Sequence, residues 1–438
     1  MQTQAGGPTS GLLPIAAVLA FIVHPVGAQT TQPTPPESSS SKTSGHPFDR
    51  STLTGDWGGL RPTLQDLGLT LSLSYQQQYQ QNFRGGLDTH NGHRLSGSYD
   101  FVTRLDFQKM RLIDNAGFYL KAKGTWSDGI NDDKVGALFN VNSDAGGDHP
   151  VFVRKWWYWH KFLRDRVELR LGMIETNKDL FDISLYANHE DKDFLNRLSI
   201  RNPTIPHRTG IGAFLKIEPM DSIYFQVAAV DAQSRNRRTG FNTAFHNQAW
   251  FIGLWECGFT PQWASPKGPM PGRYRMGFWL DPRPQRIFDA SQRDPDLPEN
   301  WRGNNLGLYV GLDQMVWKEN NDPEDQQGLG LFARYGHAKR DVNQVSDSWS
   351  VGISYKGLLP TRDKDVTAFG VSQAILSDLF REYVNNRADR ETVYEWYYKL
   401  YLTPWLSVTP DLQIVTNPGG DKDDRDSIIG GIRIRVIF

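Results

Sequence analysis

The chain has 438 residues, a formal net charge of −1 and a mean hydropathy of −0.53. Its one long apolar stretch, residues 11–26, is broken by Pro14, His24 and Pro25, which excludes a bundle of spanning helices that would each need roughly 20 apolar residues. The near-neutral balance gives no case for a nucleic-acid partner, whereas 12% aromatics and 41 glycines suit strands that bend into a closed sheet with aromatic girdles.

Residues 1–28 read as a secretory signal: residues 12–23 supply the apolar stretch, and Val26-Gly27-Ala28 is a small-residue site with the cut expected after Ala28. The first ten residues depart from the usual pattern in lacking Lys and Arg. Residues 29–50, rich in Pro, Ser and Thr, cannot bury a core and read as a disordered periplasmic linker. Residues 51–67 predict a short helical segment on the periplasmic side of the membrane. Asp56 would cap the helix, and Pro62 would be tolerated only in its first turn.

From residue 68 to 438 apolar and polar residues alternate in stretches of about ten, the length of a tilted spanning strand. Leu69, Leu71 and Leu73 alternate with Thr70 and Ser72; Phe118, Leu120 and Ala122 oppose Lys121 and Lys123; Val167, Leu169 and Leu171 oppose Glu168 and Arg170. Confining charge to one face is what a lipid-facing wall demands, since an outward Arg or Lys near the bilayer midplane costs roughly 2–4 kcal/mol. About sixteen such strands fit, predicting an all-β, transmembrane, antiparallel up-and-down barrel with the short helix at its periplasmic mouth. Tight turns are expected at residues 163–165, 219–221 and 403–404, and long polar loops at 127–150, 175–207, 231–248, 283–303, 377–390 and 417–427. The 260–272 connection is long for a periplasmic turn. The run Trp156-Trp157-Tyr158-Trp159 is aromatic on both faces, so its register cannot be read. The chain ends with Ile432, Ile434, Val436 and Phe438 on one face and Arg433 and Arg435 on the other, as the closing strand of such a barrel requires.

Other chemistries find little support. The single Cys257 cannot form an intrachain disulfide. His90 and His93 have no third ligand nearby, and the acidic run 421–426 carries two interspersed cations and no bidentate Glu, so no metal and no cofactor are expected. Neither GxSxG, Walker A nor a dinucleotide fingerprint occurs on a strand-turn-helix unit, which argues against an enzyme.

Several segments, in order, resemble the carbohydrate-selective outer-membrane porins of the OprB type. They are Leu53-Thr54-Gly55-Asp56-Trp57-Gly58-Gly59-Leu60-Arg61, Leu169-Arg170-Leu171-Gly172-Met173, Phe194-Leu195-Asn196, Pro271-Gly272-Arg273-Tyr274-Arg275-Met276-Gly277, Tyr355-Lys356-Gly357-Leu358-Leu359-Pro360, Thr403-Pro404-Trp405-Leu406-Ser407, Pro410-Asp411-Leu412-Gln413 and Asn417-Pro418-Gly419-Gly420. The resemblance implies sixteen strands, passive passage of sugars across the outer membrane, and a constriction lined by arginine and acidic residues.

The residues themselves supply candidates for that lining. Inward positions place Arg104, Asp106, Lys121, Lys123, Glu168, Arg170, Arg334, Glu395, Asp411, Arg433 and Arg435 in the lumen. There they could exchange hydrogen bonds with sugar hydroxyls or simply pair with one another across the wall. The 175–207 loop is long enough to fold inward. Phe181, Tyr186 and Phe194 would either face a sugar or pack the loop on the wall, with Asp191 and Asp193 opposing lumen arginines. Expected partners are outer-membrane lipid, small neutral sugars, the outer-membrane assembly machinery through the C-terminal strand, and, as an open option, further copies of the chain. The alternatives are a general diffusion porin and, behind it, an outer-membrane barrel enzyme.

Overall fold

The computed structural model describes residues 47–187, 193–234, 249–292, 296–322, 325–384 and 389–438. The expected signal and most of the expected linker therefore lie outside the described residues, as does Asp191.

Sixteen long strands form a closed antiparallel barrel. In chain order they are β1 Leu69–Arg84, β2 His93–Asp106, β3 Ala116–Trp126, β4 His149–Phe162, β5 Val167–Glu175, β6 Thr209–Met220, β7 Ile223–Asp231 and β8 Phe251–Phe259, then β9 Gly268–Asp281, β10 Asn305–Lys318, β11 Gly328–Ala338, β12 Val345–Lys356, β13 Val366–Leu376, β14 Arg390–Thr403, β15 Leu406–Thr416 and β16 Ser427–Ile437. Each strand pairs with the next, and β1 also pairs with β16, with Tyr75 opposite Val436 and Gln78 opposite Arg433. Closure leaves no edge, so the ladder satisfies backbone groups that lipid could not. Alternation sets which side faces lipid. On β10, Leu306, Leu308, Val310 and Leu312 are exposed on the outer wall while Tyr309 and Asp313 are fully buried inside.

Both ends of the described chain lie at the same end of the barrel: the Leu53 amide donates to the Ile437 carbonyl (2.8 Å) and the Phe438 amide to that of Leu73 (2.9 Å). Here sits the helix α1, Leu60–Asp66, whose Pro62 falls in the first turn. Asp56 does not cap it. Its carboxylate accepts the Gly58 amide (3.1 Å) ahead of the helix, and Gly59, at φ 90°, occupies the capping position. The left-handed Gly58-Gly59 pair turns the chain first, so the helix starts later than a cap at Asp56 would give.

The long 260–272 connection is an extension of the barrel wall, in which Gln262–Ser265 pairs with the start of β9 as a small hairpin. The Trp-rich strand also resolves. Trp157 turns inward and stacks on Tyr119 at 4.2 Å, whereas Trp156 and Tyr158 turn outward against Phe118 and Phe107. Gly172 on β5 makes room for this pairing. At φ +147°, any Cβ there would lie 2.5 Å from the Trp156 carbonyl and 2.7 Å from Trp157 Cα.

The interior is not an empty cylinder. Toward the end opposite α1, apolar residues face inward as well as outward, and they form cores with residues of two long connections. Leu180, Phe181 and Ile205 pack on Phe214, Val230, Ile252, Leu254 and Trp279. Ile130, Val135, Val141 and Leu198 pack on Leu376, Val393, Val415 and Ile429.

Candidate constriction

The connection between β5 and β6 folds into the lumen. It leaves β5 through the short turn α2, Thr176–Asp179, and returns after α3, Arg197–Ile200, which Asn196 caps by accepting the Leu198 amide at 2.9 Å. Its neck is tied by Thr176, whose amide donates to the Arg208 carbonyl and whose hydroxyl donates to the Pro206 carbonyl, each at 2.9 Å. From there the wall holds the loop strand by strand. On β7, Gln226 donates to the Leu180 carbonyl (2.6 Å), and on β8, Glu256 accepts the Asp182 amide (2.8 Å). Arg275 on β9 bridges Asp182 (2.9 Å) and Asp313 of β10 (2.6 Å), its side chain wholly out of reach of solvent. Arg334 on β11 donates to the carbonyls of Ala187 (2.8 Å), Ser199 (2.6 Å) and Ile200 (3.3 Å). On β14, Glu395 accepts the amides of Leu195 and Asn196, and on β16, Arg433 donates to the Asp193 carbonyl (2.8 Å).

A second connection, between β3 and β4, folds inward beside the first. Asp144 at its centre accepts hydrogen bonds from Gln76, Gln78 and Ser98 and is paired with Lys123. Burial would raise this carboxyl, but Lys123 and the Ser98 hydroxyl overcome that and hold it at about 2. Glu391 accepts the Leu138 amide (2.6 Å) and the Phe139 amide (3.2 Å). The two loops also bind each other, through Ser143 N to Leu195 O (2.8 Å) and Arg197 N to Asn140 O (3.0 Å).

Polar groups crowd the neck of the first loop. Glu175 is paired with Arg154 and Lys155 (3.5 Å) and has the His207 ring nitrogen 3.3 Å away, and Lys155 also reaches Asp179. Burial and then the charge of Arg201 push the His207 imidazole well below its usual range, leaving it neutral at pH 7. Burial, with Arg201, Lys123 and Lys121 nearby, likewise lowers Lys178. A sixteen-stranded barrel narrowed by two anchored loops, with opposed charges at the gap, has the build of a selective diffusion channel. Residues 90–438 match the family model described as carbohydrate-selective porin, OprB family. The chain belongs to this family.

Porin B of Pseudomonas aeruginosa is similar at 23% identity over 419 residues, covering 88% of this chain and 91% of that protein. A putative porin QuiX of Acinetobacter baylyi is similar at 21% over 433 residues, covering 89% and 94%. The high-pH structure of Pseudomonas putida OprB has the same fold, with a TM-score of 0.77 at 22% identity over 89% of this chain and 99% of that one. The protein is a carbohydrate-selective porin, a channel of the outer membrane.

The porin's inward charges fall into two sets. Arg334, Glu395, Asp411 and Arg433 are 0–5% exposed and are engaged by the loop or its neighbours rather than by open lumen. Lys123 is taken up by Asp144 of the second loop, and the others keep part of their side chains open. Lys121 pairs with Asp100 at 2.7 Å, and Glu168 with Arg170 at 2.6 Å. Arg170 also lies over the rings of Trp157 and Phe214, and Arg104 over Tyr119. Arg435 is half-buried near the end of β16, and Asp106 accepts the Lys109 amide (3.0 Å) in the turn after β2.

The loop aromatics pack; they do not face the pore. Phe181 is fully buried edge-on against Phe214, Phe194 against Phe332 and Tyr397, and the Tyr186 ring fills the space above Gly330. Asp193 serves through its backbone carbonyl. The sequence pattern missed the second inward loop, the Arg275 bridge and the Glu175 cluster. Arg154 is the extra residue of a β-bulge, which lets adjacent Arg154 and Lys155 both reach Glu175. A strict period of two would have sent one of them into lipid.

Proposed function

We propose that small sugars cross by passive diffusion through the gap left by the two inward loops, shedding water onto partly exposed charges as they go. Arg104, Lys121, Lys123, Glu168, Arg170 and Arg435 line that route in this reading. Guanidinium and ammonium groups donate to sugar hydroxyls, and Glu168 accepts from them. The observation that supports the reading is the anchoring of both loops on the wall and on each other, with ion pairs such as Lys121–Asp100 and Glu168–Arg170 on the inward faces of nearby strands. Where a charge already has a partner, exchange with a passing hydroxyl is close to isoenergetic. A channel needs this balance, admitting solute without retaining it.

In this reading the porin works without covalent chemistry, and the assembly machinery of the outer membrane engages the strand that ends in Phe438. Single-channel recordings of the refolded protein, paired with liposome swelling, test the reading. Openings that sugars block, with faster swelling in monosaccharides than in disaccharides, are expected. Openings indifferent to every sugar would identify a general diffusion porin. No openings, with turnover of an ester or peptide, would identify a barrel enzyme.

A further inference from the structure

Several cations of the constriction are held by a carboxylate, as Lys121, Lys123, Arg154, Lys155, Arg170 and Arg275 are. Arg197 and Arg201, one turn apart at the start and just past the end of α3, form no ion pair and no side-chain hydrogen bond among the described residues. Arg201 is half-buried with its Nε shut away from both water and any acceptor, while Arg197 is exposed. Burial first, then the charges of Arg201 and Arg154, bring Arg197 down to about 10, and burial also lowers Arg201. The two acids close by, Glu175 and Asp179, are already held by Arg154 and Lys155. An unbalanced pair of guanidinium groups beside the aperture is costly to maintain unless something negative visits it.

Resting on the reading of the chain as a sugar porin, the geometry points to Arg197 and Arg201 as an anion-binding subsite that gives passage of acidic monosaccharides, sugars bearing a carboxylate or phosphate, preference over neutral ones. A carboxylate meets a guanidinium fork through two parallel hydrogen bonds, and the sugar hydroxyls then face the paired charges of the wall. The open face of Arg197 lets solute arrive and leave. The surplus charge raises the local concentration of anions inside a low-dielectric channel.

The test is liposome swelling and reversal-potential recording with glucose, gluconate and glucose 6-phosphate, on the full chain and on Arg197→Gln, Arg201→Gln and Arg197→Lys. The unaltered porin should favour gluconate over glucose by roughly tenfold at low salt, and the preference should shrink as ionic strength rises. Either Gln variant should bring the ratio near one, and Arg197→Lys should keep most of it. That charge-retaining variant separates electrostatic selection from a loop that merely needs a long side chain. A preference for glucose 6-phosphate over both others would support the same subsite with phosphate as the bound group. Glucose passing faster than either acid, or a ratio that neither Gln variant moves, would overturn the proposal while leaving the sugar porin standing. Channels that pass no sugar at all would overturn both.

Discussion

Two arginines of the same wall, one on β5 and one on β9, teach different lessons. Arg275 is sealed between Asp182 and Asp313 with no exposure, and holds a loop in place. Arg170 is paired with Glu168 but keeps 23% of its side chain open, lying across Trp157 and Phe214. Both are inward charges on barrel strands. What separates them is whether an inserted loop covers them. A covered charge depends on the partners the loop gives it, because its desolvation is repaid only by those contacts. An open charge is screened by water and contributes little to stability, which frees it to serve passing solute.

The contrast can be broken first at Arg275. Arg275→Leu leaves Asp182 and Asp313 buried without their cation, and should cost about 3–5 kcal/mol and loosen the β5–β6 loop. Urea unfolding should show the loss, and recordings should show larger, noisier openings. An unchanged midpoint would mean that the bridge holds nothing. Filling the space Arg275 occupies is a gentler approach. A Cβ at Gly311 would lie 2.4 Å from the Arg275 guanidinium carbon, so Gly311→Val should displace the fork and cost about 1–3 kcal/mol. Conductance should rise as with Arg275→Leu, but less.

The covered charge of the other loop answers to pH. The folded state holds Asp144 at about 2, below the roughly 3.9 of an unfolded aspartate. Its contribution is thus fully present above about pH 4 and is lost as pH falls toward 2, amounting to roughly 2.5 kcal/mol. Asp144→Asn should abolish that part of the acid sensitivity, as unfolding followed between pH 5 and pH 2 would reveal. The smallest stability effect belongs to the open set. Arg170→Ala should shift unfolding by no more than about 1 kcal/mol while changing sugar flux measurably. If stability fell as far as in Arg275→Leu, the distinction between covered and open charges would fail.

The barrel was readable because lipid imposes a rule that every strand obeys, as Leu306, Leu308, Val310 and Leu312 do on β10. The constriction was less readable, because an inserted loop changes the meaning of inward residues without changing their pattern. Arg334 and Arg433 occupy inward positions like Arg104 and Arg170, and nothing in a two-residue period says which of them a loop will cover. A signal does exist at the far ends of the strands, where Phe251-Ile252, Ile375-Leu376 and Ile428-Ile429 place apolar residues on both faces. Apolar residues pointing into a water-filled lumen call for a dry partner, and the two loops provide it. The bulge at Arg154 breaks the period locally, which hid the Glu175 cluster.

One carbonyl on the second loop bears on how the wall is shut. Val141 O accepts from Gln80 on β1 (3.1 Å) and from Gln413 on β15 (2.9 Å), the strands on either side of β16. The line where the first strand meets the last is therefore stapled from within as well as zipped along its length. A seam fastened in this way has to break contacts inside the lumen as well as the ladder between β1 and β16 before the wall can part.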